Sequence, residues 1–90
     1  MLFRSVVLYI YSLLPFGGTA QINTERVMDI ARNALYFEDY VLSIQYFNQV
    51  INAKPYMADP YFFRGVAKFN LDDYQGAEKD CSTTDRKSVV

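Results

Sequence analysis

Two acidic pairs, Glu38-Asp39 and Asp72-Asp73, and one thiol, Cys81, are the residues whose types and spacing could do chemistry in this chain. Adjacent carboxylates can hold a cation or move a proton, and a thiolate can attack an electrophile. Each needs company that the sequence withholds. No third ligand lies near either acidic pair, and there is no histidine anywhere in the chain to serve as a base or a zinc ligand. A single cysteine also excludes an intramolecular disulfide. The acidic pairs are therefore read as helix caps, because a carboxylate at a helix start accepts from free N–H groups and complements the positive end of the dipole. Cys81 is read as a small buried hydrophobe. No catalytic residue, metal or cofactor is expected, and the chain is read as noncatalytic.

The elements that carry these residues must come from a chain of 90 residues, 51% hydrophobic, 17% aromatic and 21% charged. That composition argues against disorder and fits one small domain at most, which the helical spacing below makes all-α. A chain this short buries only about 60% of the surface its unfolded form exposes, which makes it marginal standing alone. The formal charge is −1 with acidic and basic residues interspersed. No basic stripe exists to neutralise phosphates, so nucleic acid is not an expected partner.

The start of the chain reads differently from the rest. Residues Val6 to Leu14, VVLYIYSLL, form an apolar run of nine. At ~1.5 Å per helical residue this is too short for a hydrocarbon core of about 30 Å. It has the size of a signal-peptide core, and Pro15 followed by Gly18-Thr19-Ala20 supplies a helix break and small side chains before Gln21. Residues 1–20 are therefore expected to be a signal peptide cleaved after Ala20, with the protein exported to the periplasm or outside the cell. A buried strand or helix of the domain is the alternative for the same run. A lipoprotein anchor does not fit, since Gln21 and Ile22 stand where a cysteine would be needed.

From Asn23 onward apolar residues recur at three and four, the spacing of amphipathic helices, with Pro55 and Pro60 as punctuation. Helices are expected from about Glu25 to Phe37, Val41 to Ala53, Asp59 to Leu71, and from Tyr74 onward, the last losing its pattern after Cys81. Pro55 ends the second, because proline cannot continue the hydrogen-bond ladder. Laid on itself at an offset of 34, the chain places Phe37-Glu38-Asp39-Tyr40 on Leu71-Asp72-Asp73-Tyr74, Ala31 on Gly65, and Ser43 on Ala77. A period of that size means stacked helical hairpins, with small residues where helices cross.

These residues resemble the tetratricopeptide repeat. In the first unit Val27, Ile30, Ala31, Ala34, Ser43, Phe47 and Pro55 stand at the family's spacing. The second supplies Tyr61, Gly65, Ala77 and Cys81 but has Arg64 and Lys68 where the family prefers Leu and Tyr, so those charged heads must snorkel or pair with a neighbour. The resemblance covers Thr24 to about Thr84, less than two complete repeats, roughly 1.7 by length. It implies a TPR-like α-solenoid whose first helices line a concave, peptide-binding side. By that rule the inward residues are Met28, Arg32, Leu35, Phe62, Val66, Phe69 and Asn70. The family's clamp for C-terminal carboxylates needs Lys, Asn and Arg at several of these places, and Met28, Phe62 and Val66 do not provide them. Burial of Phe62 and Phe69 between repeats is the reading that competes with a binding role. The implied function is a noncatalytic scaffold that binds a protein or peptide. The alternative is the docking region at the front of a larger envelope enzyme or sensor.

Both ends carry a further signature. MLFRS can be written GTG CTC TTC CGA TCT and DRKSVV can be written GAT CGG AAG AGC GTC GTG, which resemble the two sides of a short-read sequencing adapter. Residues 1–5 and 85–90 are accordingly expected to be adapter-derived, leaving residues 21–84 as a truncated piece of helical repeats.

Overall fold

The structure is a computed structural model and describes residues 22–88. Residues 1–21 and 89–90, and with them the signal-peptide reading and the last two residues of the tail, lie outside the described residues. Four helices follow one another: α1 (Thr24–Tyr36), α2 (Tyr40–Ala53), α3 (Asp59–Asn70) and α4 (Tyr74–Ser88). Among the described residues there is no strand. The boundaries expected from the apolar spacing match to within a residue where they were given.

Local chemistry explains where each helix starts. Asn23 caps α1, its side-chain oxygen accepting from Arg26 N at 3.1 Å. Pro60 sits in the first turn of α3, where a missing N–H costs nothing. Ahead of it the loop is tied down by the Tyr61 hydroxyl, which donates to Pro55 O at 3.0 Å.

The turns α1–α2 and α3–α4 repeat the same two helix-ending backbone bonds. Glu38 N donates to Leu35 O and Asp72 N to Phe69 O, both at 3.0 Å. Asp39 N reaches back to Ala34 O at 2.8 Å, and Asp73 N to Lys68 O at 2.9 Å. These pairs form a Schellman-type helix ending, in which the residue after the cap turns left-handed. Glu38 and Asp72 occupy that place, each with φ 65°.

The acidic pairs thus differ from the expectation that all four carboxylates cap. Glu38 and Asp72 terminate the preceding helix through their backbone. Asp73 alone caps by its side chain, accepting from Gly76 N at 3.0 Å, while Asp39 at the equivalent place makes no side-chain cap bond. The difference lies three residues on, where Gly76 has no side chain to obstruct the folded-back Asp73 carboxylate and Leu42 stands in α2.

Packing follows chain order. Each helix packs on the next, α1 also reaches α3, and α1 and α4 do not touch. Three-residue turns between helices that pack along their length make neighbours antiparallel. Met28, Ala31, Phe47 and Val50 form the core, with Val27, Leu35, Tyr46, Met57 and Phe63 packed against it. The Phe47 and Phe63 rings stack at 5.9 Å and join α2 to α3. The small residues do lie at crossings: Ala31, Ser43, Gly65 and Ala77 are all buried. A Cβ on Gly65 would stand 3.2 Å from Asp80 Cβ and 3.3 Å from Ala77 O, so α3 and α4 approach closely there.

The last helix runs on beyond the point where its apolar pattern ends. It continues through Ser88, not breaking after Cys81. A helical backbone needs its own i to i+4 bonds, not an apolar stripe, and the hydroxyls of Thr83 and Thr84 find acceptors inside the helix, donating to Lys79 O and Asp80 O at 3.0 and 2.8 Å. Arg86 and Lys87 complement the negative end of the dipole.

Candidate functional site

The seven residues expected on the concave side divide by helix. On α1, Met28 is 4% exposed and belongs to the core, Leu35 is half-buried against it, and Arg32 is exposed and paired with Asp29 at 2.7 Å. On α3, Phe62 and Phe69 are 45% and 59% exposed, Val66 is half-buried between them, and Asn70 is exposed, its amide donating to Val66 O at 2.8 Å. Residues 62, 66 and 69 follow one another at four and three, so they form one ridge along the helix.

Among the described residues Phe62 and Phe69 are not buried between repeats. Met28 and Leu35 precede Phe62 and Phe69 by 34 residues, and on α1 that ridge is covered by α3. Among the described residues no helix covers the same ridge on α3, so Phe62 rests only edge-on against Phe63 at 5.3 Å and Phe69 against Tyr74 at 5.2 Å. Equivalent positions in a repeat end up in different environments because burial depends on the neighbour.

A cleft of about 280 Å³ opens beside the core where α1 meets the α2–α3 loop. Met28 and Met57 supply its apolar lining, and Glu25, Asp29, Arg32 and Lys54 its charged groups. Two of the seven expected residues, Met28 and Arg32, therefore share one surface.

The residues that sequence reasoning missed lie between α2, α3 and α4. Arg64 Nε and Nη2 donate to the two carboxylate oxygens of Asp80 at 2.8 and 2.7 Å, and Nη1 donates to Asn48 Oδ1 at 2.7 Å. Lys68 Nζ adds a contact to Asp80 Oδ2 at 3.2 Å. Burial alone would push the Asp80 carboxyl up, but the hydrogen bonds from Arg64 and Lys68 outweigh it and hold the group below its ordinary range. The hydrogen bond to Asp80 in turn raises Arg64, against its own desolvation. The signal in the sequence was Arg64 and Lys68 on a face that should be apolar. Nothing in it pointed to Asp80 or Asn48 as the partners, each 16 residues from Arg64.

Both edges of the Arg64 guanidinium are taken up within the fold, and no buried side-chain nitrogen or oxygen among the described residues lacks a partner. The cluster is a joint between helices. Cys81, expected to be buried, is exposed. The inner line of α4 runs through Ala77 and Asp80, and position 81 falls to its flank.

No family model, curated protein or solved structure matches the chain.

Proposed function

We propose that the chain is a noncatalytic scaffold of tetratricopeptide-like hairpins that binds an apolar peptide segment of another protein through the α3 ridge. The observation that carries this reading is the exposure of Phe62 and Phe69 on either side of Val66. Monomeric proteins rarely leave neighbouring large aromatics uncovered without a use for them. The shared backbone bonds of the two turns and the matching helices 34 residues apart support the repeat architecture, and the cleft beside Met28 and Arg32 offers a second surface on α1.

Export is part of the same proposal and rests on the apolar run Val6 to Leu14 and the small residues before Gln21. Sequencing the N-terminus of the mature protein from its host tests it. A retained leader in a cytosolic product rules it out.

Binding is tested with a displayed peptide library. Sequences rich in aromatic and aliphatic residues should be enriched on the wild-type chain and lost on Phe62→Asp, with the helical circular dichroism of the two proteins superimposable. Equal retention by Phe62→Asp would remove the ridge from the binding surface.

A further inference from the structure

We infer that the end of the molecule formed by the α1–α2 and α3–α4 turns docks a basic, extended segment of another protein, which lays one cationic side chain on each turn. Neighbouring helices are antiparallel, so both turns lie at one end and the α2–α3 loop, with Lys54, lies at the other. Each turn carries an exposed aromatic pair. Tyr36 and Phe37, 80% and 75% exposed, meet edge to face at 5.1 Å and 82°, and Phe69 and Tyr74 do so at 5.2 Å and 67°. The residues 34 places after Tyr36 and Phe37 are Asn70 and Leu71, so the repeat does not require the two pairs.

Rings set nearly at right angles leave a corner bounded by a face of each, and those faces are the negative side of the ring quadrupole. Such a corner holds an ammonium or a guanidinium. Carboxylates stand beside both corners. Glu38 and Asp39 follow Phe37 directly, and the Tyr74 hydroxyl donates to Asp72 Oδ1 at 2.9 Å, which keeps that carboxylate at the rim of its ring pair. Glu38, Asp39, Asp72 and Asp73 are all exposed, and none takes part in an ion pair among the described residues. There is no Lys or Arg in residues 33–53 or 69–78, and Lys68, next to Phe69, is turned to Asp80. The field at this end is therefore negative.

Charge decides the occupant. Exposed aromatics alone would also suit a bilayer interface, but the carboxylates around them are repelled by anionic lipid and by nucleic-acid phosphates. A basic segment is attracted by the rings and by the carboxylates at the same place. Arginine fits best, since its planar guanidinium stacks on a ring while its N–H groups reach a carboxylate. Helix axes pack about 8–10 Å apart, so the two turns are separated by no more than about 20 Å. At ~3.3 Å per residue an extended segment covers that distance in about six residues. This surface shares only Phe69 with the α3 ridge and is otherwise separate from it.

Fluorescence anisotropy with the full chain tests the inference. The probe is a labelled peptide with an arginine at each end and about five serines and alanines between them. It should bind, a version with a single arginine should bind about tenfold more weakly, and a version with glutamates for arginines should not bind. Raising salt from about 20 to about 200 mM should weaken the complex. Tyr36→Ala and Tyr74→Ala should each weaken it about threefold, with the helical circular dichroism unchanged because both side chains are exposed. Glu38→Gln with Asp72→Asn should weaken it further, whereas Phe62→Asp, on the ridge but away from this end, should leave it as it is. No binding of the two-arginine peptide at about 1 mM, equal binding of the glutamate version, or loss on Phe62→Asp overturns the inference. So does adsorption of the chain to phosphatidylcholine vesicles that Tyr36→Ala abolishes, with no peptide bound.

Discussion

The guanidinium of Arg64 and the carboxylate of Asp80 meet edge to edge through two hydrogen bonds of 2.8 and 2.7 Å, fixing α4 on α3. Asp80 is 2% exposed, so its charge depends on that partner. In the first hairpin the residues 34 positions earlier are Ile30 and Tyr46. The ion pair of the second hairpin thus stands where the first has two uncharged residues.

Removing one side of this pair is expected to cost more than removing both. Asp80→Ala leaves Arg64 and Lys68 facing each other without a counter-charge. A fully buried pair would lose about 3–5 kcal/mol, and the partial exposure of Arg64 lowers this to about 2–3 kcal/mol. The double change Arg64→Met with Asp80→Leu strands only Lys68, whose ammonium is partly exposed and can turn to water, and should cost about 1 kcal/mol. Urea titration of the two proteins checks the order, and equal losses would contradict it.

Acid should loosen α4 before the core. The folded-state pKa of Asp80 lies below its unfolded value, so the stabilisation is present in full above the ordinary carboxylate range. It is lost as pH falls from about 4 through the folded pKa. Amide exchange in residues 77–84 should accelerate over that window while exchange around Phe47 stays slow. The raised Arg64 contributes stability that is complete at all pH values below its ordinary range, and so adds no slope in the acid range. Simultaneous loss of both regions would mean that α4 is part of one cooperative core.

Phe47 has no exposed surface and stacks on Phe63, linking the two hairpins. Phe47→Ala should cost about 3–5 kcal/mol, most of what a small domain possesses. The expected readout is loss of cooperative thermal unfolding, against a wild type that melts in one step.

Glu38→Gly should stabilise the chain. Its φ of 65° suits glycine, and relief of the side-chain clash outweighs the greater entropy of glycine in the unfolded state, for a net gain of about 0.5 kcal/mol. A shift in the urea midpoint to lower concentration would show that the Glu38 side chain contributes something beyond its backbone position.

By itself, the sequence determined the helices and their spacing. Apolar residues at three and four, Pro55, Pro60 and the 34-residue offset are local signals, and each helix begins within a residue of where they place it. The small residues at 31, 43, 65 and 77 were legible for the same reason, since close approach of helices excludes large side chains at a crossing. Which of Asp39 and Asp73 caps was also written locally, in Leu42 against Gly76 three residues later, although the pairing of carboxylates alone did not show it. Only the tertiary structure decided that Asp80 and Asn48 share Arg64, because a pairing across 16 residues depends on how helices rotate about their axes. The exposure of Phe62 and Phe69 also belongs to the tertiary structure. A ridge is defined by the spacing of its own residues, but whether it is buried is defined by the helix on the other side, and for α3 that surface is bare among the described residues.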